Sequence, residues 1–186
     1  MPITLSLVVV GQVWIWIYQP NWGLLNSVLE ALGLEELTRA WLGDPETALI
    51  AVIVAWCWQQ TALALILYLA ALTTVPKDLL EAAAIDGANA RQQFTRIIVP
   101  LLRPASVVVI TLAVINTLKG FDIVFVLTKG GPFHMSANLA MFMYEETFFK
   151  YQLGYGAAIA TALFGLAILV VIVYFRQARA SERLYG

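Results

Sequence analysis

Charge is scarce in this chain. Aspartate, glutamate, lysine and arginine make up 12% of its 186 residues, while 61% are hydrophobic. Soluble domains carry about twice that share of charge. The deficit excludes an ordinary water-soluble globule and makes the bilayer the solvent to reason with. Net charge is −1, so there is no electrostatic case for nucleic acid. Cys57 is the single cysteine, which excludes an internal disulfide, and its place in an apolar run reads as packing. His134 is the single histidine, with no cysteine or carboxylate cluster at ligand spacing, so no metal site or cofactor is expected in this chain. A phosphate-cradling loop ending in Gly-Lys-Ser or Gly-Lys-Thr is also missing, so any ATP chemistry belongs to a partner. Low-complexity tracts and internal repeats are absent too.

What the chain has is long apolar runs. A bilayer core needs about 20 apolar residues per helix. Thr47 to Leu72 and Tyr155 to Phe175 carry no charge, and Ala105 to Leu127 carries only Lys119 and Asp122 near its end. A shorter run, Ile3 to Tyr18, lacks the basic start and the small-residue cleavage site of a signal peptide. It ends in Trp14, Trp16 and Tyr18, as an interfacial aromatic belt would, and reads as the outer part of a membrane helix. The expectation is an all-α bundle of about four membrane segments in a single membrane domain, 1–186.

Basic residues set the orientation. Lys77, Arg91, Arg96 and Arg103 fall in the 73–104 insert, and Arg176, Arg179 and Arg183 in the C-terminal tail. Only Arg39, Lys129 and Lys150 fall in the other loops. The positive-inside rule therefore places the insert and the C-terminus in the cytoplasm. On the outer side, Asn21 to Trp41 and Ala137 to Tyr151 read as helices lying on the membrane surface, the second preceded by the turn Gly130-Gly131-Pro132. His134 falls in that outer loop and is expected to be solvated only.

The insert is built as helix, corner, helix. Pro76 suits a first helical turn and Asp78 and Glu81 favour a helix N-terminus. Leu79, Ala82, Ala83 and Asp86 recur at helical spacing on one narrow face. Gly87 can end the helix in a left-handed conformation. Asn89 can cap a second helix through about Val99, and Pro100 and Pro104 mark re-entry into the membrane. A face of small residues suits docking into a partner's groove. An ordinary helical loop satisfies the same spacing.

The pattern Glu81-Ala82-Ala83, three residues, Gly87, nine residues, Ile97-Ile98-Val99-Pro100 resembles the EAA motif of permease subunits in bacterial and archaeal ABC importers. Val99 in place of leucine is its one departure. Ala84-Ile85-Asp86-Gly87 and Phe94 resemble the carbohydrate-uptake branch. So do Gly11-Gln12-Val13-Trp14 followed by Gly23-Leu24-Leu25-Asn26, Phe121-Asp122 followed by Leu127 to Pro132, and Leu153 to Ala158. The resemblance spans about residues 3 to 176. It implies a type I importer permease of the maltose and glycerol-phosphate kind in the cell (inner) membrane. ABC ATPase subunits carrying ATP-Mg, a second permease and an extracytoplasmic solute-binding protein would be its partners. It also implies that this chain is an N-terminally truncated form. Glu81, Ala82, Ala83, Asp86, Gly87 and Pro100 would then form the coupling loop, with Glu81 a polar contact to the ATPase and the alanines allowing close approach.

Asn116, Lys119 and Asp122 follow at i+3 along the third run, and polar groups at membrane depth are functional candidates. Lys119 and Asp122 can pair, and Gly120 between them permits a broken helix of the kind found at transport sites. Asn116 suits a sugar hydroxyl, and Phe121 either stacks on a sugar or packs. Lys119 near the outer end can instead reach water. Trp56, Trp58, Gln59 and Gln60 form a second polar-aromatic cluster, in which the glutamines are expected to face other helices. A membrane enzyme would need clustered acids, histidines or a nucleophile at membrane depth, and the chain offers only Lys119 and Asp122 there. A non-transporting scaffold is separated from a permease by whether an ATPase binds and solute moves.

Overall fold

The structure is a computed structural model that describes the backbone of residues 4–185 and the side chains of residues 4–176. The start of the first apolar run at Ile3 and the side chains of Arg179 and Arg183 lie outside the described residues. All regular structure among the described residues is helical. The chain forms two compact units, Met1–Ala62 with Asn116–Ala167, and Leu63–Ile115 with Ile168–Gly186.

The first unit opens with α1 (Leu7–Ile17), capped by the Ser6 hydroxyl, which accepts from the Val9 amide at 3.3 Å. Next come α2 (Leu24–Ala31) and a 3₁₀ turn, Glu35–Leu37. Helix α3 (Ala48–Thr73) starts in this unit. Its core joins Val10 of α1, Val52 and Ala55 of α3, and Ile123, Val124 and Leu127 of a later helix. Gly11 lets α1 pack close to that later helix: a Cβ there would lie 2.6 Å from Cγ1 of Val126. The Tyr18 hydroxyl donates to the Ala51 carbonyl at 3.0 Å, pinning the end of α1 to α3.

Helix α2 is inverted relative to a soluble surface helix. Its buried residue is Asn26, whose amide donates to the carbonyls of Pro20 (3.0 Å) and Arg39 (3.1 Å) and accepts from the Trp41 indole (2.7 Å). Leu24 is 62% exposed and Leu32, at the C-cap, 68%, while Leu25 and Leu29 are half-buried. The Gly33 backbone, at φ +73, closes the helix.

In the second unit, α3 ends at Thr73 and is followed by α4 (Lys77–Ile85) and α5 (Ala90–Leu101). Pro76 stands at the N-cap of α4, one place before the first turn expected for it, with its backbone extended. Helix α5 loosens into a π-helical turn over Phe94–Ile98, where the Val99 amide reaches back to the Phe94 carbonyl. Pro100 lies inside α5 rather than at its end. The wide turn just before it accommodates a residue without an amide hydrogen. The chain bends by 63° into α6 (Arg103–Lys119), with Pro104 in its first turn. Within this unit the Tyr68 hydroxyl meets Ser106 Oγ at 3.1 Å.

The third apolar run, Ala105 to Leu127, is not one helix: α6 stops at Lys119 and α7 (Phe121–Leu127) begins after Gly120. Helix α8 (Leu139–Tyr144) continues as a π-helical turn over Glu145–Phe149, and α9 (Leu153–Tyr185) closes the chain. Among the described residues two helices, Ala48–Thr73 and Leu153–Arg176, are long and apolar enough to cross a membrane, and a third span is reached if the bent α5–α6 pair counts as one. The chain is therefore a multi-pass, all-α helical bundle. Helix α1 is shorter than a span by the same measure.

Candidate functional site

The residues singled out from the sequence fall in two places, one in each unit. The first is the corner at Gly87. Asp86 is the C-cap of α4, and Gly87 adopts φ +81. The Gly87 amide donates to the Ala84 carbonyl (3.0 Å) and the Ala88 amide to the Ala83 carbonyl (2.9 Å). This is the paired closure of a Schellman turn, which only glycine enters without steric cost. Asn89 then caps α5 in a reciprocal box: its side chain accepts from the Gln92 amide and Gln92 Oε1 accepts from the Asn89 amide, each at 2.9 Å. Glu81, Ala82 and Asp86 are exposed and Ala83 and Pro100 half-buried. Ile85 is 87% and Phe94 55% exposed, so the corner presents apolar side chains beside the acids.

The second place is the break at Gly120. A Cβ at Gly120 would sit 3.3 Å from the carbonyl oxygens of Asn116 and Thr117 and from the Trp56 ring. Asn138 Nδ2 donates to the Gly120 carbonyl at 2.9 Å, while its Oδ1 accepts from the Met141 amide at 2.9 Å and caps α8. The Trp56 indole donates to Thr117 Oγ1 at 3.3 Å. A cleft of about 130 Å³ opens beside the break, lined by Trp56, Thr117, Gly120, Ser136 and Asn138 over Ile123 and Val124. The turn that follows α7 is held by hydroxyls: Ser136 Oγ donates to the Gly131 carbonyl (2.6 Å) and lies 2.7 Å from Thr128 Oγ1.

The four path residues separate here. Asn116 is half-buried, and its amide makes no side-chain hydrogen bond among the described residues. Lys119 and Asp122 are both exposed, and of the two readings open for them the exposed one holds: no ion pair joins them among the described residues. The helix break accounts for this, because i+3 spacing brings side chains together only along a continuous helix. Phe121 packs, with ring centroids 5.1 Å from Phe125 and 4.7 Å from Tyr144. In the other cluster, Trp58 meets Trp14 edge-on, Gln59 Nε2 reaches the Leu5 carbonyl at 3.5 Å, and Gln60 is half-buried. Thr117, Ser136 and Asn138 were missed by the sequence reading. An Asn two residues after a serine, before an apolar helix, was an available cap signal.

His134 is exposed but not merely solvated. Its Nδ1 lies 3.2 Å from Glu145 Oε2, and Lys150 Nζ contacts Glu145 (3.3 Å) and buried Glu146 (2.7 Å). The Glu146 hydrogen bond, followed by the Glu145 bond and charge, holds Lys150 above the usual lysine range against the opposing effect of burial.

Residues 1–183 match the family described as binding-protein-dependent transport system inner membrane component. A probable ABC transporter permease protein of Pyrococcus horikoshii is 40% identical over 182 residues, covering 98% of this chain and 62% of that protein. The trehalose/maltose transport system permease protein of Thermococcus litoralis is 35% identical over 96% of this chain and 60% of its own length. The sulfoquinovosyl glycerol transport system permease protein of Agrobacterium fabrum is 35% identical over 98% of this chain and 58% of its own. The chain thus spans about three fifths of the curated relatives it matches. A crystal structure of a bacterial ABC transporter involved in import of the acidic polysaccharide alginate superposes with a TM-score of 0.79 at 24% identity, covering 100% of this chain and 63% of that one. With the match running almost end to end, the chain belongs to the binding-protein-dependent transport system inner membrane component family.

Proposed function

We propose that this chain is the permease subunit of a binding-protein-dependent ABC importer for a sugar or related solute. The exposed corner at Gly87 carries the reading: a rigid helix end, closed by its own hydrogen bonds, offering Glu81, Asp86 and Ile85 to a partner. Glu81 makes a polar contact to a cytoplasmic ABC ATPase, Ala82 and Ala83 let that partner approach the backbone, and Gly87 sets the angle between α4 and α5. Pro100 fixes the π-turned end of the loop, 73–104. ATP-Mg is bound and hydrolysed on the partner, and its closure draws the coupling loops together so that the spans rock about a midplane site.

Asn116, half-buried and with no side-chain hydrogen bond among the described residues, is the hydrogen-bonding residue of the translocation path. Lys119 and Asp122 lie exposed on either side of the break and line the path's outer reach. Phe121 supports them through the aromatic cluster rather than stacking on solute. Relatives named for trehalose/maltose, xylose/arabinose and sulfoquinovosyl glycerol transport favour a carbohydrate or carbohydrate-like solute. In the membrane the chain contributes four segments, with α1 as the outer part of one and α6 with α7 as a broken one. The insert and the C-terminus lie on the cytoplasmic side. A second permease and an extracytoplasmic solute-binding protein complete the assembly.

Detergent co-purification of the tagged chain from its native membranes, beside a Glu81→Lys variant, tests this. Recovery of an ABC-type ATPase and a second permease, lost in the variant, is the expected result. A chain that brings down no ATPase in either form is a scaffold, and the reading fails.

A further inference from the structure

Asn138 performs two jobs with one side chain. Its Oδ1 accepts from the Met141 amide and caps α8, while its Nδ2 donates to the Gly120 carbonyl at the break between α6 and α7. Helix α7 is anchored by Ile123, Val124 and Leu127, all buried in the core with Val10 of α1. The last turn of α6 is held differently. Among its polar ties to the rest of the unit are the Trp56 indole on Thr117 and, just beyond it, the Asn138 amide on Gly120. The cleft beside Gly120 leaves the break unpacked on one flank. The residue before the break that matters for solute is Asn116, four positions ahead of Gly120. One turn of helix separates them, so the angle at Gly120 sets where the Asn116 amide lies.

We infer that Asn138 is a positioning residue of the translocation path: through Gly120 it sets the break, and with it the placement of Asn116, from the start of an external helix. The inference rests on the permease reading above and deepens it. Helix α8 runs on to the ion cluster of Glu145, Glu146 and Lys150, with His134 across the turn. Asn138 therefore joins that external cluster to the break by a single side chain.

The two jobs separate by substitution. Asn138→Asp keeps an acceptor for the Met141 amide, which suits a helix N-terminus, but replaces the donor facing the Gly120 carbonyl with an oxygen. Asn138→Ala removes both. The full importer, chain with its ATPase, second permease and binding protein, is reconstituted in proteoliposomes, with radiolabelled maltose and xylose as probes. Amide exchange of residues 117–124 and 139–142 is followed in the same complexes. Asn138→Asp is expected to raise exchange at 117–124 but not at 139–142, and to raise the uptake KM about fivefold to tenfold at nearly unchanged maximal rate, the scale of one lost hydrogen bond. Asn138→Ala is expected to raise exchange in both segments. Gly120→Ala approaches the break from its other side and is expected to raise KM with Asn138 intact.

Unchanged KM in assembled Asn138→Asp and Gly120→Ala complexes overturns the inference, even if both lower the unfolding temperature, because a purely structural role does exactly that. If Asn138→Asp does not assemble, the KM of Gly120→Ala decides. A wild-type complex that assembles yet takes up neither sugar overturns the sugar-path reading, and the positioning role with it.

Discussion

The corner at Gly87 and the break at Gly120 are both helix–glycine–helix junctions, but their hydrogen bonds come from different distances. At Gly87 the bonds are drawn from the stretch between Ala82 and Gln93, and a Cβ there would meet nothing within 4 Å. At Gly120 the carbonyl is held by Asn138, 18 residues further along the chain, and the backbone is flanked by Trp56 from α3. A junction closed by its own neighbours keeps its shape while being pushed from outside. One closed by distant groups changes shape when those groups move. The first suits a lever and the second a gate.

Substitutions can break that contrast. Gly120→Val has the largest expected effect on stability, about 2 kcal/mol, because the new side chain meets two carbonyl oxygens and an aromatic ring that cannot all retreat. A clear fall in the unfolding midpoint in detergent is expected, and an unchanged midpoint would show the break to be loosely held. Gly87→Val follows, at about 1–2 kcal/mol for a side chain in the left-handed region. That cost is confined to the loop, so uptake should be lost while the helix content by circular dichroism stays at wild type. Normal uptake by Gly87→Val would remove the corner's role as a lever.

Asn89→Ala deletes the reciprocal cap of α5 and should cost about 1 kcal/mol. Faster amide exchange is expected at residues 90–93 and nowhere in the other unit. The smallest effect concerns Lys150. Its raised pKa means that its ion pairs stabilise fully below the ordinary lysine value of 10.5 and fade as pH rises through the higher folded value. The midpoint difference between wild type and Lys150→Met should therefore be flat up to about 10.5 and close only above it.

The same contrast explains what the sequence disclosed. Asn89, Gly87 and the acids of α4 act on neighbours a few residues away, and such rules are written in local order. The Gly87 corner, the Asn89 cap and the possibility of a break at Gly120 were all legible. Pro100 was misplaced because a π-helical turn absorbs it, and nothing in the order Phe94-Thr95-Arg96 announces one. The choice between a Lys119–Asp122 pair and an exposed Lys119 stayed open in the sequence, because i+3 spacing is meaningful only within a continuous helix. The His134–Glu145 contact and the Asn138 bond to Gly120 needed the turn between α7 and α8 to bring their partners back. Of the longest apolar helices, α3 was found within one residue at each end, while α9 begins two residues earlier than its apolar run and continues ten residues beyond it.

Helix α2 has a practical consequence. It is only eight residues long, too short to cross a bilayer, yet it turns Asn26 inward and Leu24, Val28 and Leu32 outward, with Trp22 exposed just before it. A surfactant belt sized from the spans alone leaves that greasy strip bare. Purified chains would then stick to one another there, and self-association in thin detergent would trace to α2 before it traced to any transport surface.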